Sequence, residues 1–132
     1  MKKINKTKKI TLSNQKVKPV FTDKRGSIFD LVEEKVGHIG IVTFKKGVIR
    51  GNHYHKKSVQ YSYILDGKIK LVTSDINGKN KKSVIIASGV LTTIPVGVVH
   101  TYIALTNAKI IDITTMSRND NGYEKDTIRI AN

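Results

Sequence analysis

The chain has 132 residues, enough for one domain with its own core, and contains neither cysteine nor tryptophan. Disulfides and thiolate metal centres are thereby excluded, and with no apolar run of about 18 residues a membrane-spanning helix is not expected. Half of the net charge of +14 lies on seven lysines within residues 1–20, where there is no acid.

Like charges at that density repel one another, so residues 1–18 are predicted to form a flexible, solvated arm ahead of one domain at 19–132. The arm lacks the apolar stretch of a secretory signal, which makes the cytoplasm the expected location. Nucleic acid is not the expected partner, since no helix-turn-helix rhythm, aromatic platform or zinc-finger spacing accompanies the charge. A basic body suits an anionic small molecule instead, such as one carrying a pyrophosphate.

From residue 17 onward, short β-branched runs alternate with turn residues, the rhythm of an all-β domain. The predicted strands are 17–21, 26–32, 38–45, 49–55, 58–65, 68–74, 82–87, 91–94, 98–105, 108–116 and 127–131. A short turn over Asp30–Val36 is the nearest approach to helix. Asp66-Gly67 and Asn77-Gly78 each read as a hairpin turn, where glycine accepts the positive φ required. Pro95-Val96-Gly97 should aim the following strand, and with it His100. So many short strands protect their edges best by closing into a small barrel or a two-sheet roll.

Alternation along a strand places His53 and His55 on one face with Tyr54 opposite. Gln60 and Ser62 share a face, as do Val98, His100 and Tyr102. Imidazoles inside a β cavity are costly unless a metal or a hydrogen-bond partner compensates them, which points to a task. Two chemistries follow. One divalent metal ion of unknown identity could sit on His53, His55 and His100, with the neutral Gln60 as a weaker fourth ligand. Alternatively a histidine pair moves protons without metal, and Gln60 orients an imidazole or holds a substrate oxygen.

The order Gly47, His53, His55, Gln60, Gly67, then Gly89, Pro95, Gly97, His100 resembles the two signature motifs of the cupin superfamily. It departs from them at Gln60, where Glu is usual, and at Ala104, where Asn often stands. The segment Arg50-Gly51-Asn52-His53-Tyr54-His55-Lys56, followed by Gln60, is similar to nucleotide-sugar 3,4-ketoisomerases. Those cupins act on dTDP-4-keto-6-deoxyglucose. The first motif is also similar to the cupin half of capsular-polysaccharide enzymes, which can hold zinc.

The resemblance implies a double-stranded β-helix, the cupin jelly roll, assembled as a homodimer. It implies isomerisation or epimerisation of a nucleotide-linked keto sugar, by proton transfer next to a carbonyl, in polysaccharide or glycan synthesis. His53 and His55 would carry protons, while Arg50 and Lys56 would hold anionic groups and Gln60 and Ser62 would contact substrate. The tyrosine those enzymes carry before the first motif is missing from Gly40-Ile41-Val42-Thr43-Phe44, which leaves Tyr102 as the expected replacement. Two alternatives stand: a metal-dependent cupin such as a dioxygenase, and a cupin that binds a small ligand without turnover.

Overall fold

The computed structural model describes residues 10–130. Twelve strands carry the fold: β1 Ser13–Lys16, β2 Phe21–Asp23, β3 Gly26–Ile28, β4 His38–Phe44, β5 Ile49–His55, β6 Gln60–Asp66, β7 Lys68–Ser74, β8 Lys82–Ala87, β9 Val90–Ile94, β10 Val99–Ala104, β11 Ala108–Thr114 and β12 Thr127–Arg129. A 3-10 turn at Asn119–Asn121 leads into one short helix, α1, Gly122–Asp126.

Two antiparallel five-stranded sheets run in the orders β1-β9-β6-β11-β4 and β12-β5-β10-β7-β8, and β2 and β3 form a separate ribbon. From β4 to β7, and again from β8 to β12, each successive strand lies in the other sheet. This zigzag is the winding of a double-stranded β-helix. Asp66-Gly67 is therefore no hairpin, because it carries the chain from β6 in one sheet to β7 in the other. Asn77-Gly78 does close a hairpin, between the paired strands β7 and β8.

The space between the sheets is divided along the strands. Ile64, Ile94 and Ile110 of the first sheet meet Ile69, Leu71 and Ile86 of the second in the apolar half. Each fully buried side chain of this size contributes about 1.5–3 kcal/mol by leaving water. The other half is polar. On β6 the inward row reads Gln60, Ser62, Ile64, and on the neighbouring β11 it reads Thr114, Asp112, Ile110, paired in that register. Polar residues are thus stacked at one end of the roll by strand pairing, while the apolar end holds the sheets together.

Residues 13–16, expected within the flexible arm, instead form edge strand β1 against β9, with Ser13 opposite Thr93 and Lys16 opposite Val90. Thr92 donates to the Asn14 side chain at 2.6 Å and the Lys16 ammonium donates to the Ser88 carbonyl at 3.0 Å. An edge strand tolerates polar, lysine-bearing residues because only part of it is buried. The strand expected at 17–21 is thereby displaced. The first nine residues of the expected arm lie outside the described residues. Residues 30–36 are irregular, and the run expected at 26–32 contributes only the exposed strand β3.

Candidate functional site

Strand β5 brings the first two histidines inward by an irregularity. His53 stands opposite His100 on β10, but Thr101 stands opposite Gly51, so Asn52 is an extra residue on β5. Gly51 and Asn52 both take positive φ, 101° and 62°, which glycine and asparagine accept more readily than other residues. A Cβ on Gly51 would approach the His100 carbonyl oxygen to 2.7 Å. The bulge shifts the alternation by one residue, so Arg50, opposite Tyr102, lines the same cavity as His53. The turn at Pro95-Gly97 sets β10 against this strand, with the Gly97 amide donating to the His55 carbonyl at 2.9 Å.

The three imidazoles converge. Ring centroids are 5.0 Å apart for His53 and His55, 4.7 Å for His53 and His100, and 5.3 Å for His55 and His100. One nitrogen from each ring lies within 4.8 Å of the others. His53, His100, Gln60, Tyr102 and Arg50 line a cavity of about 460 Å³. His55 lies behind them, buried against Ser58 and Tyr123. A larger open groove of about 640 Å³ runs over the outer face of β5, β10 and β7, but none of the histidines lines it.

Burial, reinforced by the neighbouring His55 and Arg129, lowers the His53 pKa from 6.5 to about 4. Burial, with His53 beside it, lowers that of His100 to about 3. Both are neutral at neutral pH. His100 Nδ1 lies 3.0 Å from the Val98 carbonyl, an acceptor, so Nδ1 carries the proton. Its Nε2 then offers a lone pair, and this atom is buried with no hydrogen-bond partner among the described residues.

A polar chain runs beneath the cavity. His55 Nε2 meets Gln60 Oε1 at 2.8 Å, and Gln60 Nε2 donates to Asp112 Oδ1 at 2.9 Å. Ser62 Oγ donates to the same carboxylate oxygen at 3.2 Å and lies 2.6 Å from the Tyr102 hydroxyl. Arg118 donates to Asp112 Oδ2 at 3.2 Å. Burial raises the Asp112 pKa against the pull of Arg118 and Ser62.

Most of the expected site residues meet here, with three corrections. Lys56 follows β5 and is exposed, one step out of phase with His55, so it does not line the cavity. Ser62 is completely buried under the cavity floor and supports Tyr102 and Asp112 rather than reaching a ligand. Tyr102 does line the cavity, but its hydroxyl is engaged by Ser62, and burial, with Asp112 nearby, pushes its pKa above the usual phenol value.

Four residues complete the site that strand alternation did not single out. Asp112 and Arg118 are the pair just described. Tyr123, on α1, stands edge-on to His53 and His55 at 6.2 and 6.0 Å, with the Arg118 guanidinium over its ring at 4.6 Å. Arg129, ion-paired with Glu124, is a third arginine at the cavity. Tyr123 alone of the four lies in the polar stretch 119–126, whose helix is too short for any 3.6-residue periodicity to register, and Asp112 lies in the apolar run Ile110–Ile113 with either face open to it.

The fold and this cavity define the protein as a cupin jelly roll with an imidazole-lined interior. Residues 21–128 match the family model described as "Polysaccharide biosynthesis C-terminal domain", and the chain belongs to that family. Among solved structures, the chain resembles QdtA, a sugar 3,4-ketoisomerase from Thermoanaerobacterium thermosaccharolyticum in complex with TDP. That match has 20% identity and a TM-score of 0.73, covering 90% of this chain and 88% of that one. A 3,4-ketoisomerase from Helicobacter canadensis matches at 22% identity and a TM-score of 0.74, covering 92% of each chain. The dTDP-6-deoxy-D-glucose-3,5-epimerase RmlC from Legionella pneumophila matches at 20% identity and a TM-score of 0.71, covering 90% of this chain and 72% of that one. No curated protein sequence matches the chain.

Proposed function

We propose that this protein moves a proton next to the carbonyl of a nucleotide-linked keto sugar, as an isomerase or epimerase of polysaccharide or glycan biosynthesis. The observation that carries this reading is the pairing of a neutral base with an uncompensated cation in one cavity. His53 is held neutral, and Arg50 joins no ion pair among the described residues. One Arg50 nitrogen donates to the Thr43 carbonyl at 3.1 Å, which fixes the guanidinium while leaving its charge intact.

In this reading His53 removes the proton next to the carbonyl. The resulting enediolate places negative charge on an oxygen, and Arg50 stabilises it with a fixed fork of donors. Tyr123 is the half-buried phenol beside the base that lines the same cavity, and in this reading it returns a proton, at the adjoining carbon in an isomerase or to the opposite face of the same carbon in an epimerase. The resemblance to 3,4-ketoisomerases and a 3,5-epimerase supports the substrate class.

The experiment is incubation with a dTDP-4-keto-6-deoxy sugar in heavy water. Deuterium at the carbon next to the carbonyl, together with an isomeric product, is expected. Tight binding with neither outcome would identify a ligand-binding cupin and overturn the enzymatic reading.

A second reading is a metal site, favoured by the convergence of three nitrogens and by the free lone pair of His100 Nε2. His53 and His100 would hold a divalent ion, joined by His55 only if Gln60 turned away from it. Such an ion would act as a Lewis acid toward a substrate oxygen. Near-stoichiometric metal in the purified protein is the outcome that supports it.

Assembly as a homodimer is part of the proposal. Among the described residues strand β4 ends its sheet with an unpaired edge, and its own Ile39 and Ile41 are 64% and 67% exposed, a liability that a second copy would cover. Sedimentation at the monomer mass would refute it. No helix among the described residues is long and apolar enough to cross a membrane, and a cytoplasmic location is part of the proposal.

A further inference from the structure

We infer that Asp112, acting through the Gln60 amide, is a positioning residue that holds a proton on His55 Nε2. The inference concerns how the proposed reaction is prepared and rests on that reading only for its kinetic consequence.

The direction of each hydrogen bond follows from what each group can do. The Arg118 guanidinium has only donors, so Asp112 Oδ2 accepts. Asp112 Oδ1 is within reach of Gln60 Nε2 and Ser62 Oγ, both able to donate. Arg118 can only donate, and Gln60 and Ser62 can both donate, so the geometry favours the carboxylate against the burial that raises its pKa. Gln60 must then turn its NH₂ toward Asp112 and its carbonyl oxygen toward His55. A carbonyl oxygen only accepts, so His55 Nε2 must donate across the 2.8 Å contact.

The other end of the ring offers a weaker competing arrangement. Thr127 Oγ1 lies 3.3 Å from His55 Nδ1, and the Asp126 carboxylate lies 3.7 Å away. A proton on Nδ1 would suit Asp126, but that distance is beyond hydrogen-bond range, and Asp126 Oδ1 already accepts from the Lys57 amide at 2.7 Å. The Gln60 end therefore sets the tautomer, and Thr127 can donate to the lone pair left on Nδ1.

The same logic reaches the cavity wall. With its own proton given to Asp112, Ser62 Oγ accepts from Tyr102, whose hydroxyl proton points to the floor and whose lone pairs remain for a donor above. It also explains residue 60 chemically. An amide can accept at one end and donate at the other, whereas a glutamate there would set two carboxylates against each other. One buried acid thus orients a glutamine, a serine, a tyrosine and, through the glutamine, the imidazole behind the base.

The test reads the tautomer directly. Long-range ¹H–¹⁵N correlation of the imidazole rings in ¹⁵N-labelled, ligand-free protein near neutral pH reports which nitrogen of each histidine is protonated, and His55→Gln identifies the His55 signals. The expected result is a proton on His55 Nε2 in the wild type. In Asp112→Asn, Gln60 is free to turn over and the His55 pattern shifts toward Nδ1–H. In Asp126→Asn it stays as in the wild type. Turnover of the keto sugar by Asp112→Asn should fall ~10- to 100-fold in kcat with little change in KM, the usual cost of losing a group that orients a functional imidazole. Wild-type His55 protonated on Nδ1, or a His55 pattern that Asp112→Asn leaves unchanged, would overturn the inference. Should Asp112→Asn fail to fold, the wild-type spectrum alone still decides. The expected spectrum without any isomerase activity would sink the enzymatic reading and leave this one standing.

Discussion

Arg50 and His53 line one cavity although they stand three positions apart along a strand, with only Gly51 and Asn52 between them. In an unbroken strand that spacing would put them on opposite faces. The extra residue at Gly51-Asn52 reconciles the two, and the geometry depends on Gly51 lacking a side chain. Gly51→Val should therefore destabilise the fold by roughly 1–3 kcal/mol, toward the upper end because the new Cβ meets backbone rather than a yielding side chain. Urea denaturation measures the loss. Any folded fraction should show weaker substrate binding, since Arg50 and His53 would no longer face the same way.

Acid should weaken the fold through the buried imidazoles. His53 and His100 have folded-state pKa values of about 4 and about 3, against the 6.5 of an exposed histidine. Both are depressed, so below pH 6.5 the unfolded chain takes up protons that the folded chain refuses. Their contribution is fully present above pH 6.5 and is lost progressively as the pH falls toward 3. Denaturation midpoints across that window should drop with falling pH, and more shallowly in His53→Asn. An unchanged slope in the variant would show that His53 is not a titrating contributor.

Much of this was legible before any coordinates. β-branched runs and turn residues give ten of the strands at or near their places, because alternation against a buried face leaves a direct trace in sequence. The histidines are legible for the same reason. What escaped was set by tertiary context. The Lys16 strand reads as solvated charge until β9 supplies its partner, and Asp66-Gly67 reads as a hairpin although its strands belong to different sheets. Asp112 sits in an apolar run with either face open to it, and only pairing with Ser62 puts it inside. Tyr123 and Arg118 come from an irregular segment with no period to read.

Residue 60 offers a test by a single atom change in kind. Gln60→Glu puts a second carboxyl group about where the amide nitrogen now lies, 2.9 Å from Asp112 Oδ1. Two carboxylates that close cannot both ionise cheaply, so the pair should hold a shared proton with a raised pKa. A raised folded-state value means that the folded chain binds the extra proton, so stability relative to wild type is lost as pH rises and regained as it falls. The variant should melt below wild type at pH 8, and the gap should narrow by pH 5. A constant gap across that range would mean that residue 60 and Asp112 do not share a proton.

The two tyrosines of the cavity should separate by mutation. Tyr102→Phe removes a hydroxyl held by Ser62 in the buried network, so its principal effect should be on stability, about 0.5–1.5 kcal/mol for one hydrogen bond. Tyr123→Phe removes a hydroxyl from a half-buried ring that faces the imidazoles, and its edge-on packing can survive the change. Its melting temperature should stay near wild type while kcat for the keto sugar falls by about 10²-fold or more, the usual cost of losing a proton donor. Substrate that still exchanges its proton for deuterium, yet yields little product, would place Tyr123 at the return of the proton. Full activity in Tyr123→Phe together with loss in Tyr102→Phe would reverse these roles and restore Tyr102 as the acid.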